Sequence, residues 1–241
     1  MIGLRLLYER AIAGPAYPPD AADLEDIRLL GIALPRRASV AVVATTALIV
    51  LDELRFLVPA NATDGLAGLR PLDLARFVLF LAVPAAIVVL GFRDDLRRYA
   101  LRIGDWRWGA GLLAAGLLVM TPIILALSTI PAFRGYYGAA TTPLGMALLN
   151  NLVELVPAEF LLRGFLMFSL WRRIGPLALV VQLLPFVLTH IGKPEVELWS
   201  TFIGGSVFAW LDWRTGSILW SALGHVYVLT LMLVAVGGAS L

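Results

Sequence analysis

Residues 150–171 read NNLVELVPAEFLLRGFLMFSLW, an apolar run long enough to cross a bilayer that still contains Glu154, Glu159 and Arg163. An ionised group at membrane depth costs ~2.5–3.5 kcal/mol on insertion scales, so three in one span are either paired or used in chemistry. The rest of the chain has to bring partners to this segment. Composition fits that setting: 60% of the 241 residues are hydrophobic and 15% charged, against about half and a quarter in soluble domains. The implied fold class is all-α, a polytopic membrane protein with about seven transmembrane helices and short interfacial helices.

Having no cysteine excludes disulfides, thiolate metal ligands and a cysteine nucleophile. The net charge of +2 is too small to indicate a nucleic-acid partner, and membrane lipid is the expected surroundings. Residues 1–37 show no signal-peptide pattern, since prolines 15, 18 and 19 interrupt them before any apolar core appears. Within them Leu24, Ile27 and Leu30 recur every three residues among Asp23, Glu25, Asp26 and Arg28. That spacing predicts an amphipathic helix over 20–34, on the membrane surface or in solvent.

Three spans without diagnostic residues occupy 38–143, at 38–58, 74–92 and 109–130. A polar loop with Asn61 and Asp64 follows the first, and a charged, aromatic stretch before the third puts Trp106 and Trp108 at headgroup level. Residues 144–241 hold four more spans, at 144–171, 176–191, 196–213 and 217–236. The tight connection Arg172-Arg173-Ile174-Gly175-Pro176 makes the fifth span antiparallel to the fourth. Alternate loops carry thirteen Lys and Arg on one side against Arg70, Arg134 and Lys193 on the other. That asymmetry predicts a cytoplasmic N-terminus and an external C-terminus in a plasma or inner membrane.

The two histidines, His190 and His225, both lie in apolar segments. Intramembrane ionisable groups point to function, and here they accompany a charged span. Glu159-Phe-Leu-Leu-Arg163, Phe186-Val-Leu-Thr-His190 and the later His225 match ExxxR, FxxxH and a final His in order. On these residues the chain resembles the intramembrane CAAX-protease and bacteriocin-processing proteins, also called type II CAAX prenyl endopeptidases. The resemblance covers about residue 144 to the C-terminus. It implies an intramembrane glutamic endopeptidase acting on a peptide or membrane-protein substrate, with Glu159, His190 and His225 catalytic, Arg163 and Phe186 in support, and no cofactor or resident metal. Two positions depart from the family pattern: its first Glu is Ala158 here, and its Asn four residues after the last His is Leu229.

Peptide hydrolysis needs a water made nucleophilic by a base and a donor for the developing oxyanion. A carboxylate with one histidine can supply the first and a second histidine the second. Glu159 and Arg163, four apart, share a helical face and can pair. Glu154 is the rival carboxylate, one turn before Ala158. From the outer span ends Glu154 lies ~15 Å deep and Glu159 ~22 Å, against ~2 Å for His190 and ~17 Å for His225. The short fifth span can place His190 deeper. Pro157 between the two glutamates can bend the helix.

Other signals are weaker. Lys193, Glu195 and Glu197 read as a solvated turn or a substrate gate. Gly204-Gly205-Ser206 faintly resembles an intramembrane serine protease, although Gly205 and Ala209 fit close helix packing. Besides proteolysis, a degenerate scaffold or immunity protein is consistent with Ala158 and Leu229, and a metal or haem protein with two histidine ligands.

Overall fold

The computed structural model describes residues 14–58 and 68–240. Residues 1–13, and the loop residues Asn61 and Asp64, lie outside the described residues.

The helix expected over 20–34 is replaced by a hairpin. Strands β1 (Asp26–Leu29) and β2 (Ile32–Pro35) pair antiparallel, with Leu29 opposite Ile32. Leu30 and Gly31 both take positive φ, 50° and 85°, which is the two-residue turn whose twist suits a hairpin. Gly31 supplies that conformation without strain, and the three-residue leucine spacing is overridden.

An arginine clasp pins this segment to the bundle. Buried Arg37 reaches Asp23 at 2.7 Å, Asp94 at 3.2 Å and the Phe92 carbonyl at 3.2 Å. Arg98 pairs with Asp23 at 2.7 Å, with Asp94 at 2.8 Å and with Asp20. Burial works against the charged Asp20 carboxyl, but the Asp23 backbone N–H, Arg98 and Arg37 outweigh it and hold its pKa down at about 2. A depressed carboxyl contributes stability above its unfolded pKa and loses it as pH falls through the folded one. Limited proteolysis in detergent should therefore leave residues 14–37 protected above pH ~4 and open them progressively between about pH 4 and 2.

The helices follow as α1 (Arg36–Glu53), α2 (Pro71–Gly91), α3 (Trp106–Leu127), the short α4 (Pro131–Tyr137), α5 (Leu144–Glu159), α6 (Phe168–Ile174), α7 (Leu177–Leu188), α8 (Glu195–Thr215) and α9 (Leu219–Val236). Among the described residues α2, α3 and α9 are long and apolar enough to cross a membrane. Leu90, Leu118 and Ile203 are at least 73% exposed on α2, α3 and α8, an apolar exterior suited to lipid. Of the seven spans expected, the other four segments carry charges or are short. At 1.5 Å per residue α7 rises roughly 18 Å, well under a hydrocarbon core of about 30 Å. The first span stops at Glu53, not 58, because Arg55 turns the chain with φ 55°. Asp52, near the end of α1, pairs with Arg76 of α2 at 3.0 Å.

One end of the bundle gathers the N-terminal hairpin, the 92–105 connection with its 3-10 turn Leu96–Tyr99, and the α6–α7 and α8–α9 turns. Arg102 donates to the Gly216 carbonyl (2.9 Å), Asp105 N–H to the Thr215 carbonyl (2.8 Å), and Arg173 pairs with Asp26 (2.8 Å). At the other end Tyr137 donates to Glu197, and β3 (Thr142–Pro143) lies parallel to β4 (Ala239–Ser240). Each end thus collects loops that the arginine and lysine count assigns to one side.

The charged span runs through the larger hydrophobic core. After Pro157, which has no N–H for the carbonyl one turn back, the helix passes into π-helical register over Phe160–Met167 before resuming as α6. Such segments are rare and concentrate at functional sites. Phe160, Phe165, Met167 and Phe168 are fully buried here against Tyr99 and Phe92, so this is the central helix of the bundle.

Candidate active site

The central helix and α7, α8 and α9 converge on Glu159. Its Oε1 lies 2.7 Å from His225 Nδ1 on α9, and its Oε2 accepts from Arg163. At 1% and 0% exposure, Glu159 and Arg163 are a desolvated pair. The Arg163 guanidinium lies over Phe186 of α7, 4.4 Å from the ring centroid, and over Phe208 of α8 at 5.5 Å. Phe186 also packs 4.6 Å from the His190 ring and 6.1 Å from that of His225. The two imidazoles are nearly parallel, their centroids 6.5 Å apart. Glu159, Arg163, Phe186, His190 and His225 are therefore brought together. His190 follows the short α7 by two residues and reaches the His225 ring from there.

Glu154 is not part of this group. It lies 2.9 Å from Arg70 and also pairs with Arg76, on the side of the central helix that faces α2. Up to Glu159 the helix is regular, and five residues place the two carboxylates roughly 140° apart around its axis. One glutamate can face the histidines and the other cannot.

Hydrogen-bond partners assign the imidazole tautomers. His190 Nδ1 lies 2.7 Å from the Phe186 carbonyl, which only accepts, so Nδ1 carries the proton and Nε2 keeps a lone pair. His225 Nδ1 faces the Glu159 carboxylate and carries its proton in the same way. In the neutral rings both Nε2 atoms are then acceptors. Arg163 Nε and Nη2 are buried without hydrogen-bond partners among the described residues. The side chain of His225 is 15% exposed, so the group opens on its side.

Three members are missing from the sequence reading. Asp212 of α8, fully buried, has Oδ2 2.8 Å from Ser221 Oγ, which lies 3.2 Å from Glu159 Oε2. Asp212 is a carboxylate inside an expected span and carried the same signal as Glu159, but its place beside Arg214 reads as interfacial. Ser221 and Phe208 leave no mark in an apolar helix. Ala158 puts a methyl where the family pattern has a carboxylate, partly buried against the core.

The weaker signals separate as well. Lys193 pairs with Glu197 at 3.0 Å, Glu197 accepts from Tyr137, and Glu195 is exposed. Ser206 is exposed and donates to the Phe202 carbonyl of its own helix at 2.7 Å, away from the histidines. Gly205 lets α7 and α8 touch, since a Cβ there would meet Phe186 at 2.6 Å and Leu183 at 2.7 Å. No three His, Asp or Glu among the described residues form a metal-holding group.

The family model for type II CAAX prenyl endopeptidase, Rce1-like, matches residues 139–231. Those residues are a domain of that family. The Rce1-like domain includes every member of the cluster from Glu159 to His225, and membership suggests a CAAX-type intramembrane protease with a peptide substrate. Comparison with curated proteins and with solved structures returns no match.

Proposed function

We propose that this chain is an intramembrane endopeptidase in which His225, held by Glu159, activates water beside His190. The observation that carries the reading is the 2.7 Å contact between Glu159 Oε1 and His225 Nδ1 inside a buried cluster. A buried carboxylate on Nδ1–H fixes the tautomer and steadies the imidazolium that forms, as in an Asp–His pair. A water between the rings can donate one hydrogen to each Nε2, which aims its oxygen lone pair at a peptide carbonyl. As that oxygen bonds to the carbonyl carbon, His225 Nε2 takes the proton, and the oxyanion meets the free N–H groups of Arg163. The C–N bond then breaks as His225 passes the proton to the leaving nitrogen.

Residues 144–241 form the catalytic bundle in this reading, and residues 38–143 complete seven spans around it. The N-terminus is cytoplasmic in a plasma or inner membrane, in keeping with the arginine count. The test is hydrolysis of an internally quenched, farnesylated CAAX peptide in detergent micelles, beside the same peptide unprenylated. His190→Ala should slow cleavage by ~10²-fold or more, because the water loses one of the two acceptors that aim it, with the fold intact. Full activity in that variant ends the reading. The competing scaffold reading draws on Ala158 and Leu229, and gains if a Glu159→Ala protein keeps its cellular phenotype.

A further inference from the structure

Asp212 is a fully buried carboxylate that the mechanism above does not use. Its Oδ1 has no hydrogen-bond partner among the described residues, and its Oδ2 is 2.8 Å from Ser221 Oγ. The Ser221 hydroxyl has one proton and three oxygens around it: Asp212 Oδ2 at 2.8 Å, the Ile218 carbonyl at 3.0 Å and Glu159 Oε2 at 3.2 Å. Whatever it donates to one carboxylate it withholds from the other. The shortest of the three contacts goes to Asp212.

We propose that Asp212 is a positioning residue that, by accepting the hydrogen bond of the Ser221 hydroxyl, leaves Glu159 free to grip His225. This rests on the reading of Glu159 and His225 as the working pair. Glu159 Oε2 already accepts from Arg163. A second donor there would draw charge from the carboxylate and weaken Oε1 as the acceptor of His225 Nδ1–H. With the hydroxyl turned to Asp212, its oxygen presents lone pairs to Glu159 instead. Asp212 thus acts on the imidazole through two intervening groups, and its carboxylate comes from α8, not from the central helix position occupied by Ala158.

The test is a double-mutant cycle of Asp212→Asn and Ser221→Ala. An asparagine can donate to Ser221 Oγ, turning the hydroxyl proton towards Glu159. Asp212→Asn should lower kcat for the farnesylated CAAX peptide about tenfold with KM unchanged, in the range seen for coupled neighbours. In the Ser221→Ala background the same change should cost less than about twofold, because the link is already cut. Equal factors in both backgrounds, or no effect in either, overturn the proposal. The ¹⁵Nδ1 shift of His225 in micelles reads the same cycle without turnover. If that shift moves with Asp212→Asn only when Ser221 is present, while Glu159→Gln still cleaves normally, the linkage stands and the proteolytic reading falls. If Glu159→Gln is inactive and the shift is unmoved, the linkage falls alone.

Discussion

Glu159→Gln should lower kcat by ~10³-fold or more with little change in KM. Among the described residues the carboxylate is the only acceptor at His225 Nδ1, at 2.7 Å, and an amide in its place can offer N–H to that nitrogen and invert the tautomer. The corresponding change in an Asp–His pair costs ~10⁴ in kcat. Folding should survive, because Gln has nearly the same shape and still offers an oxygen to Arg163, although leaving the buried guanidinium without its counter-charge lowers stability. Glu154→Gln is the built-in comparison. Its carboxylate faces Arg70 and Arg76, so cleavage should stay within about threefold of the unmodified protein while stability falls by ~1–3 kcal/mol. Equal losses of activity at the two positions would return the choice of carboxylate to where the sequence left it.

Arg163→Met should have the largest effect on stability. Arg163 is 0% exposed, donates to Glu159 and lies over two aromatic rings. Methionine fills much of the same volume but leaves the carboxylate buried without its cation, and breaking a buried pair from one side costs ~3–5 kcal/mol. Adding Glu159→Gln should recover most of that loss, since a neutral pair replaces an orphaned charge, while cleavage stays abolished. Thermal unfolding in micelles reads both variants. A double variant no more stable than Arg163→Met would mean that the arginine matters through its ring contacts, not through Glu159.

Much of the cluster was legible because its members are chemically loud. Glu159, Arg163, His190 and His225 stand out in apolar helices, where an ionisable group needs a reason. Their spacing within each motif is local and survives any packing. Asp212 carried the same signal three residues from a helix end, where a carboxylate usually reaches solvent; here that end is covered by the 92–105 connection, which bonds the α8–α9 turn through Asp105 and Arg102. Ser221 and Phe208 were silent, since small hydroxyls and phenylalanines are ordinary in spans. The N-terminal helix failed for a different reason. Two left-handed residues at Leu30 and Gly31 close a hairpin, and a three-residue leucine spacing cannot register that.

The sequence by itself determined that charges are buried in an apolar bundle, which ones they are, and the order in which the motifs occur, because composition and short-range spacing do not depend on packing. It also determined the pairing of Glu159 with Arg163, a contact internal to one helix. Only the tertiary structure decided which glutamate meets the histidines. Glu154 and Glu159 lie on different faces of the central helix, and nothing local says which face turns towards α9 and which towards the arginines of α2. It likewise brought Asp212 beside Glu159 from a separate helix. That contact depends on how α8 and α9 pack, not on the chain near residue 159.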